Sequence, residues 1–589
     1  MSSLQARYDV AIVGLGPTGA LLAVLLGRLG LRVLALERRA APHGEPRAVH
    51  LDDEAMRILQ AAGVAGALRT APIEGLDVVS ARGQLLARAQ KAGAAVQPHG
   101  YPAAQLFHQP DLEAALRRAL AALPAVHVRL GWAVRDVLPD DLGVTLVSAG
   151  PSGAFQVRAT CVVGCDGARS TVREAMGATL EGSGYSERWL VADARVRVPV
   201  RLPERLLQVA DPRRPSTFVP LPGDRRRWEF RLLEGELPPE APPDEASALA
   251  RALIADHHPT GRIGPDLLRL ERAAVYTFRD ALASRWVAGR LMLAGDAAHL
   301  MPPFLGQGLC AGLRDAHALA WRLALVVRGV SEAALLGSYE AERRAHVAGV
   351  ARLAVRLGRL MGWRAPAATL RDGLLCLLHR VPPARRRLET LEAGLPAFAP
   401  VLRGHAAPAT LLPQPSAETD GGRLVRLDDA LGPGLALVGL GTAPAGGGEA
   451  LRDAAAVLGL RRVQVVSGRD PWPAALPGAL RVRDREGVLR AWLRAAGHAE
   501  GRVLLVRPDR YVLGTYAPGE TNRLRADASA LLAHREARAD GLGRVLGQQA
   551  SPLPPSPRAI AEESRPEHAP TEHAVIPKGL ARGLPRSPS

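Results

Sequence analysis

Cysteine is scarce in this 589-residue chain: there are four, at Cys161, Cys165, Cys310 and Cys376. Four scattered thiols make no disulfide framework, and the natural compartment for them is a reducing cytoplasm. The Cys161/Cys165 spacing has no second cysteine pair or neighbouring histidines, which excludes a zinc site and leaves no metal expected. Lysine is scarcer still, present only at Lys91 and Lys578, so arginine supplies nearly all of the basic side of a +17 net charge. Without a lysine-rich tail or a basic stripe interleaved with aromatics, that charge reads as solvated surface and not as a nucleic-acid interface. No long apolar run occurs either. The stretch from Val10 to Leu31 is broken by Gly14, Gly16, Pro17, Gly19 and Arg28, which excludes a membrane span. The opening MSSLQARYDV lacks the charged-then-apolar pattern of a signal sequence.

What is present is a composition rich enough to fold: 47% hydrophobic and 23% charged. The length predicts about three or four domains. YDVAIV at 8–13 fits a buried parallel strand, 17–29 a helix and RVLALE at 32–37 a second parallel strand, a βαβ opening. Helical patterns recur at 51–62 and 110–122. Strand-like runs at 126–130, 143–147 and 155–165 suggest a β-meander inserted over a parallel sheet. Short strands with Pro and Arg fill 181–285, a separate sheet facing a substrate. RLMLA at 290–294 returns as a strand, and an amphipathic helix runs from Leu309 to about Val327. The zone 396–434 reads as a Pro/Gly-rich linker, and 435–548 as a small α/β domain. From 549 to 589 the chain is Pro-rich and polar, a tail expected to be disordered. The expected division is therefore 1–180, 181–285, 286–395, 396–548 and 549–589, in an α/β fold.

Three glycine-marked sites carry the chemistry. Gly14-Leu15-Gly16-Pro17-Thr18-Gly19 stands between strand and helix. Gly14 permits the tight turn, Gly16 lets a pyrophosphate approach the backbone, and Gly19 lets helix and strand pack, while the helix N-terminus offers N–H groups and a positive dipole end. Glu37, at the end of the second strand, is placed to accept hydrogen bonds from a ribose diol. GCDGARSTVR follows a later strand with Asp166, Gly167, Ser170 and Arg173. Gly295-Asp296 precedes the helix that begins after Gly308. Asp296 is suited to ribityl hydroxyls, and the N–H groups of Leu309 and Cys310 to a flavin pyrimidine whose reduced form is negative.

In this order the motifs resemble those of class A flavoprotein aromatic hydroxylases, the family of para-hydroxybenzoate hydroxylase and phenol hydroxylase, across roughly residues 8–360. PRAVHLDDEAMRILQ (46–60), RRWEFRLLEGE (226–236) and PPFLGQGLCAGLRDA (302–316) resemble the family's 3-(3-hydroxyphenyl)propionate hydroxylases. The resemblance implies a Rossmann-like FAD-binding fold and a C-terminal thioredoxin-like domain, which without a cysteine after Cys376 cannot perform dithiol chemistry. It implies FAD as bound cofactor, NADH or NADPH as transient reductant, O2, a small phenolic substrate hydroxylated ortho to its hydroxyl, and a homodimer as a candidate assembly. By position it places Arg38, Arg47 and Gln109 at FAD and the Pro303 carbonyl beside the substrate. Many relatives carry Asn where Cys310 stands. His50 is a candidate base for the phenol, with local hydrogen bonding as the alternative, and His299 is structural. Rival readings are a tailoring oxygenase for a polyketide or antibiotic phenol and a catalytically silent flavin-binding protein.

Overall fold

The computed structural model describes residues 7–532 apart from 43, 45, 91–97, 200, 239, 257–262, 365, 390–397, 399, 402–409 and 445–450. The proposed tail at 549–589 lies outside the described residues.

The first sheet is built around Tyr8–Val13, buried at every position as befits a strand covered on both faces. It pairs in parallel with Val33–Glu37 on one side and with Gly153–Gly164 on the other, with Val10 opposite both Val33 and Cys161. Val126–Leu130 and Leu291–Leu293 extend the sheet in parallel, and Val287–Ala288 closes one edge antiparallel. The strands Ala133–Asp140 and Gly143–Gly150 form the inserted meander, laid antiparallel on Gly153–Gly164. The meander departs from the sequence expectation in one respect. The 126–130 run belongs to the parallel sheet, and Ala133–Asp140, which the sequence did not announce, takes its place in the meander. Its Pro139 and outward acidic residues suit an exposed edge, where a missing N–H costs no ladder bond.

The helices Pro17–Arg28 and Gly308–Val327 pack against each other beside this sheet. Both strand-to-helix turns, after Val13 and after Leu293, therefore open on the same side of it.

A second, seven-stranded sheet runs in the order Leu268–Arg279, Ser186–Val196, Arg225–Arg231, Ser216–Val219, Leu206–Val209, Gly75–Val79, Leu85–Gln90. Five strands come from the 181–285 region. The last two come from 75–90, well before it, because Gly75–Val79 pairs in parallel with Leu206–Val209. Trp228 and Phe230 alternate with Arg227 and Glu229, so one face packs on the helix Pro243–Asp256 and the other faces the first sheet's turns.

The C-terminal sheet orders Leu424–Arg426, Ser416–Thr419, Ala479–Asp484, Leu460–Ser467, Leu435–Leu440, Arg502–Val506 and Val512–Tyr516. The middle three strands are parallel, and the rest add antiparallel. Part of the expected linker is thus folded: 416–426 forms an edge hairpin turning at Asp420-Gly421-Gly422, glycines that in the sequence looked like spacer. This sheet is tied to the rest by buried ion pairs. Arg57 forks onto both oxygens of Asp428 at 2.9 Å, and Glu342 lies between Arg322 (2.6 Å) and Arg507 (2.8 Å). Among the described residues no helix is long and apolar enough to cross a membrane.

Candidate active site

The turns after Val13, Cys165 and Leu293 converge on one cavity of about 1370 Å³, which continues beneath the second sheet. It exceeds the roughly 300–1,000 Å³ of a single small-ligand pocket, room for a large cofactor and a second molecule.

At one end stands the Gly14–Gly19 turn. Gly14 has φ +94°, and a Cβ there would collide with the Cys165 carbonyl; a Cβ on Gly19 would collide with the Gly14 carbonyl oxygen. Gly16 differs. Its backbone is extended (φ −67°, ψ −177°), and a Cβ on it would meet no protein atom within 4 Å. The fold does not demand glycine there; the open cavity in front of it does. Pro17 starts the helix, Gly16 provides no side-chain cap, and Thr18 joins Pro17 in the cavity wall. Gly19 and Gly295 lie behind that wall. Gly295 has φ +63°, and a Cβ on it would press on the Thr18 hydroxyl, so the two turns interlock.

Glu37 reaches the cavity with one oxygen accepting from Leu15 N–H (2.9 Å) and the other from Arg39 N–H (3.0 Å), which fixes its carboxylate at the rim beside Arg38. Arg47 lines the cavity on a loop whose own N–H, with that of Ala48, donates to Gln109 Oε1 at 3.0 and 2.8 Å. Gln109 also donates to Glu113 at 2.8 Å, so its amide is committed mainly to holding the Arg47 loop.

Asp166 accepts from Val172 N–H at 3.3 Å through Oδ2, while Oδ1 is buried without a hydrogen-bond partner among the described residues. Burial pushes its pKa up against those bonds. Ser170 caps the next short helix, and Arg173 ties the two motifs together, donating to the carbonyls of Ala168 (2.7 Å) and Ala297 (3.1 Å). Asp296 borders the cavity. Burial of the site raises its pKa, opposed by His299 and Arg47. His299 Nε2 donates to Asp315 at 2.6 Å, and Asp315 also accepts from Gly295 N–H and from Arg343. That buried cluster braces the Gly295 turn, the structural place expected for His299.

Gly308 and Leu309 line the cavity at the N-terminus of Gly308–Val327, which has no side-chain cap. Cys310 sits one residue deeper, fully buried, with its thiol 3.7 Å from the His50 carbonyl oxygen. Only its backbone is therefore in play. Pro303 borders the cavity and its carbonyl accepts from Gly306 N–H at 2.7 Å within a tight turn. His50 packs on Gly306, and its Nδ1 donates to the Gly306 carbonyl at 3.2 Å, which makes Nε2 the nitrogen with the lone pair.

The opposite wall is formed by residues that no motif in the sequence places there. Trp189 and Phe304 meet edge-to-face at 5.8 Å, with Leu353 and Leu357 beside them, and Gln208, Thr217 and Glu229 look down from the second sheet. The only sequence signal was the WEF stretch, which marks the strand but not which face it offers.

The donor set fits FAD: a glycine cradle held open, an uncapped helix end, a carboxylate at the expected ribose position, and the orphaned oxygen of Asp166. Comparison with known proteins agrees. The FAD binding domain family matches residues 7–354, and the HcaD C-terminal domain family matches 409–531. The chain is 38% identical over 530 residues to 3-(3-hydroxy-phenyl)propionate/3-hydroxycinnamic acid hydroxylase 2 of Burkholderia vietnamiensis, covering 86% of this chain and 93% of that one. It is 34% identical over 536 residues to the corresponding hydroxylase of Klebsiella pneumoniae, covering 88% and 93%. The solved structure of the anhydrotetracycline hydroxylase OxyS from Streptomyces rimosus is similar with a TM-score of 0.68 at 27% identity, over 89% of this chain and 99% of that one.

Proposed function

The chain belongs to the FAD-dependent aromatic hydroxylases, and from that premise we propose that it hydroxylates 3-(3-hydroxyphenyl)propionate or 3-hydroxycinnamate ortho to the phenolic hydroxyl. NAD(P)H and O2 are the usual co-substrates of this family. The observation that carries the proposal is the single cavity, which joins a dinucleotide cradle at one end to an aromatic-walled chamber at the other.

Bound FAD would supply the redox chemistry and the activation of oxygen. The chain supplies the rest. The Gly14–Gly19 turn and its helix end would hold the pyrophosphate, with Glu37 on the ribose and Arg38 and Arg47 near the phosphates. Asp166 and Asp296 would meet the hydroxyls between, and the N–H groups of Leu309 and Cys310 would face the pyrimidine ring. The Pro303 carbonyl would border the reacting ring of the substrate, with His50 in the same stretch of cavity wall. Trp189 and Phe304 exclude water there, which strengthens every polar interaction inside.

The C-terminal unit we read as thioredoxin-like, supported by three parallel strands continuing into an antiparallel pair. Its buried ties to helix Asp53–Ala61 and to Glu342 favour a role in holding the cavity-forming elements together. The four free cysteines suit a reducing cytoplasm.

The likeness to an anhydrotetracycline hydroxylase favours a second reading, a polycyclic phenol as substrate. A panel of nicotinamide oxidation rates with 3-(3-hydroxyphenyl)propionate, 3-hydroxycinnamate, phenol and a polycyclic phenol separates the two. Strong stimulation by the phenylpropanoid acids is expected. Stimulation by the polycyclic phenol alone would transfer the substrate claim to the second reading.

A further inference from the structure

On the cavity face of the second sheet, three polar side chains form a row across adjacent strands. Gln208 is paired with Thr217, and Thr217 with Glu229. Gln208 Nε2 donates to the Thr217 hydroxyl at 3.1 Å. The row is flanked by Val78 beyond Gln208 and Val191 beyond Glu229, so it is a polar strip in an apolar wall. Glu229 is the one ionisable member, 13% exposed, and that exposure is to the cavity. No role in holding FAD or in bordering the reacting ring falls to it.

Among the described residues its near cation is Arg227, 3.9 Å away, too far for a hydrogen bond. That guanidinium is committed elsewhere. It forks onto Asp193 at 2.7 and 3.0 Å and donates to the carbonyls of Arg47 (2.7 Å) and Pro46 (2.5 Å). Arg272 likewise turns to Pro46 and Asp193. Glu229 is thus a carboxyl in a water-poor chamber, with a distant, neutralised cation and no hydrogen-bond donor of its own among the described residues. A buried carboxylate needs a donor. A substrate carboxylate is the wrong complement, because two like charges in that space repel. A phenolic hydroxyl is the right one.

We infer that Glu229 accepts the hydrogen bond of the substrate's phenolic hydroxyl, and so fixes which end of a hydroxyphenyl acid enters the chamber first. This rests on the reading of the substrate as a phenol. The carboxylate of the side chain is then directed away from the sheet. Burial, opposed by Arg227, raises the pKa of Glu229, which brings the carboxylate closer to a phenol in proton affinity and strengthens the bond.

The test is a cycle of residue against ligand hydroxyl on the FAD-loaded protein, by titration calorimetry. Dissociation constants are compared for wild type and Glu229→Gln with 3-(3-hydroxyphenyl)propionate and 3-phenylpropionate, and with the neutral pair 3-propylphenol and propylbenzene. Glu229→Gln keeps shape and polarity, and an unchanged flavin content checks that the fold survives. The expected result is binding weakened about tenfold to a hundredfold for the two phenols and unchanged for their hydroxyl-free partners. Equal effects on a phenol and its hydroxyl-free partner would overturn the inference, and tighter binding of both acids would place the substrate carboxylate at Glu229 instead. If wild type binds neither acid, the substrate reading fails and the neutral pair alone decides on Glu229. Indifference to the hydroxyl in that pair as well would overturn the assignment.

Discussion

Gly16 and Gly19, three residues apart, are glycines for different reasons. At Gly19 a methyl group would run into the Gly14 carbonyl, so the constraint is packing; at Gly16 the backbone is extended and the methyl would enter empty cavity, so the constraint is the ligand. Gly16→Val should therefore fold with an unchanged Tm for the apoprotein and lose FAD affinity by at least about tenfold. Gly19→Ala should instead lower stability by roughly 1–3 kcal/mol whether or not flavin is present. Thermal melts with and without FAD, together with flavin content, separate these outcomes. A Gly16→Val protein that purifies with full flavin would remove the cradle assignment. At this scale the sequence was informative wherever a residue type is dictated by backbone geometry, as at Gly14, or by a short motif, as at Asp166 and Asp296. The resemblance put Gln109 at FAD, but nothing local in the sequence shows that its amide is committed to a loop 61 and 62 residues away.

The long helices Gly308–Val327 and Ala334–Met361 carry His317 and His346. Burial is the main cause that lowers the pKa of His317 to about 4 and that of His346 to about 3, the latter helped by Arg343 and Arg314. In the unfolded chain both return to an ordinary value near 6.5. Between that value and their folded pKa the unfolded state binds more protons, so stability falls as pH drops. The loss is at most about 1.4 kcal/mol per pH unit for each histidine. Denaturant unfolding should therefore show stability declining from pH 6.5 toward 4, and a His346→Gln variant should show a shallower decline. A slope unchanged by that substitution would assign the acid sensitivity elsewhere. Gly308–Val327 was readable from apolar spacing, as were the parallel strands from their runs of Val, Ile, Leu and Ala; Ala334–Met361 was not read from its spacing. The strand at 133–140 was not, because an edge strand with Pro139 and outward charges carries no buried period.

For the whole molecule, function follows from bringing together segments that are far apart in sequence. The cradle comes from the first 40 residues, the bracing turns from 165–173 and 295–309, and the chamber roof from strands at 75–90 and 186–231. The motif-bearing half of the cavity was legible in the sequence, since each turn carries its own glycine signature. The roof was not. Which residues of 225–231 face the cavity depends on strand pairings set by non-local packing, and the recruitment of 75–90 into that sheet leaves no local trace. In the proposed function one atom of O2 enters the ring of a phenolic acid in this cavity. The most direct test is mass spectrometry of the product formed from 3-(3-hydroxyphenyl)propionate and NAD(P)H under 18O2. The expected product is 3-(2,3-dihydroxyphenyl)propionate carrying a single 18O in the new hydroxyl. Nicotinamide consumption that yields only peroxide and unchanged acid, or a new hydroxyl derived from water, would contradict it.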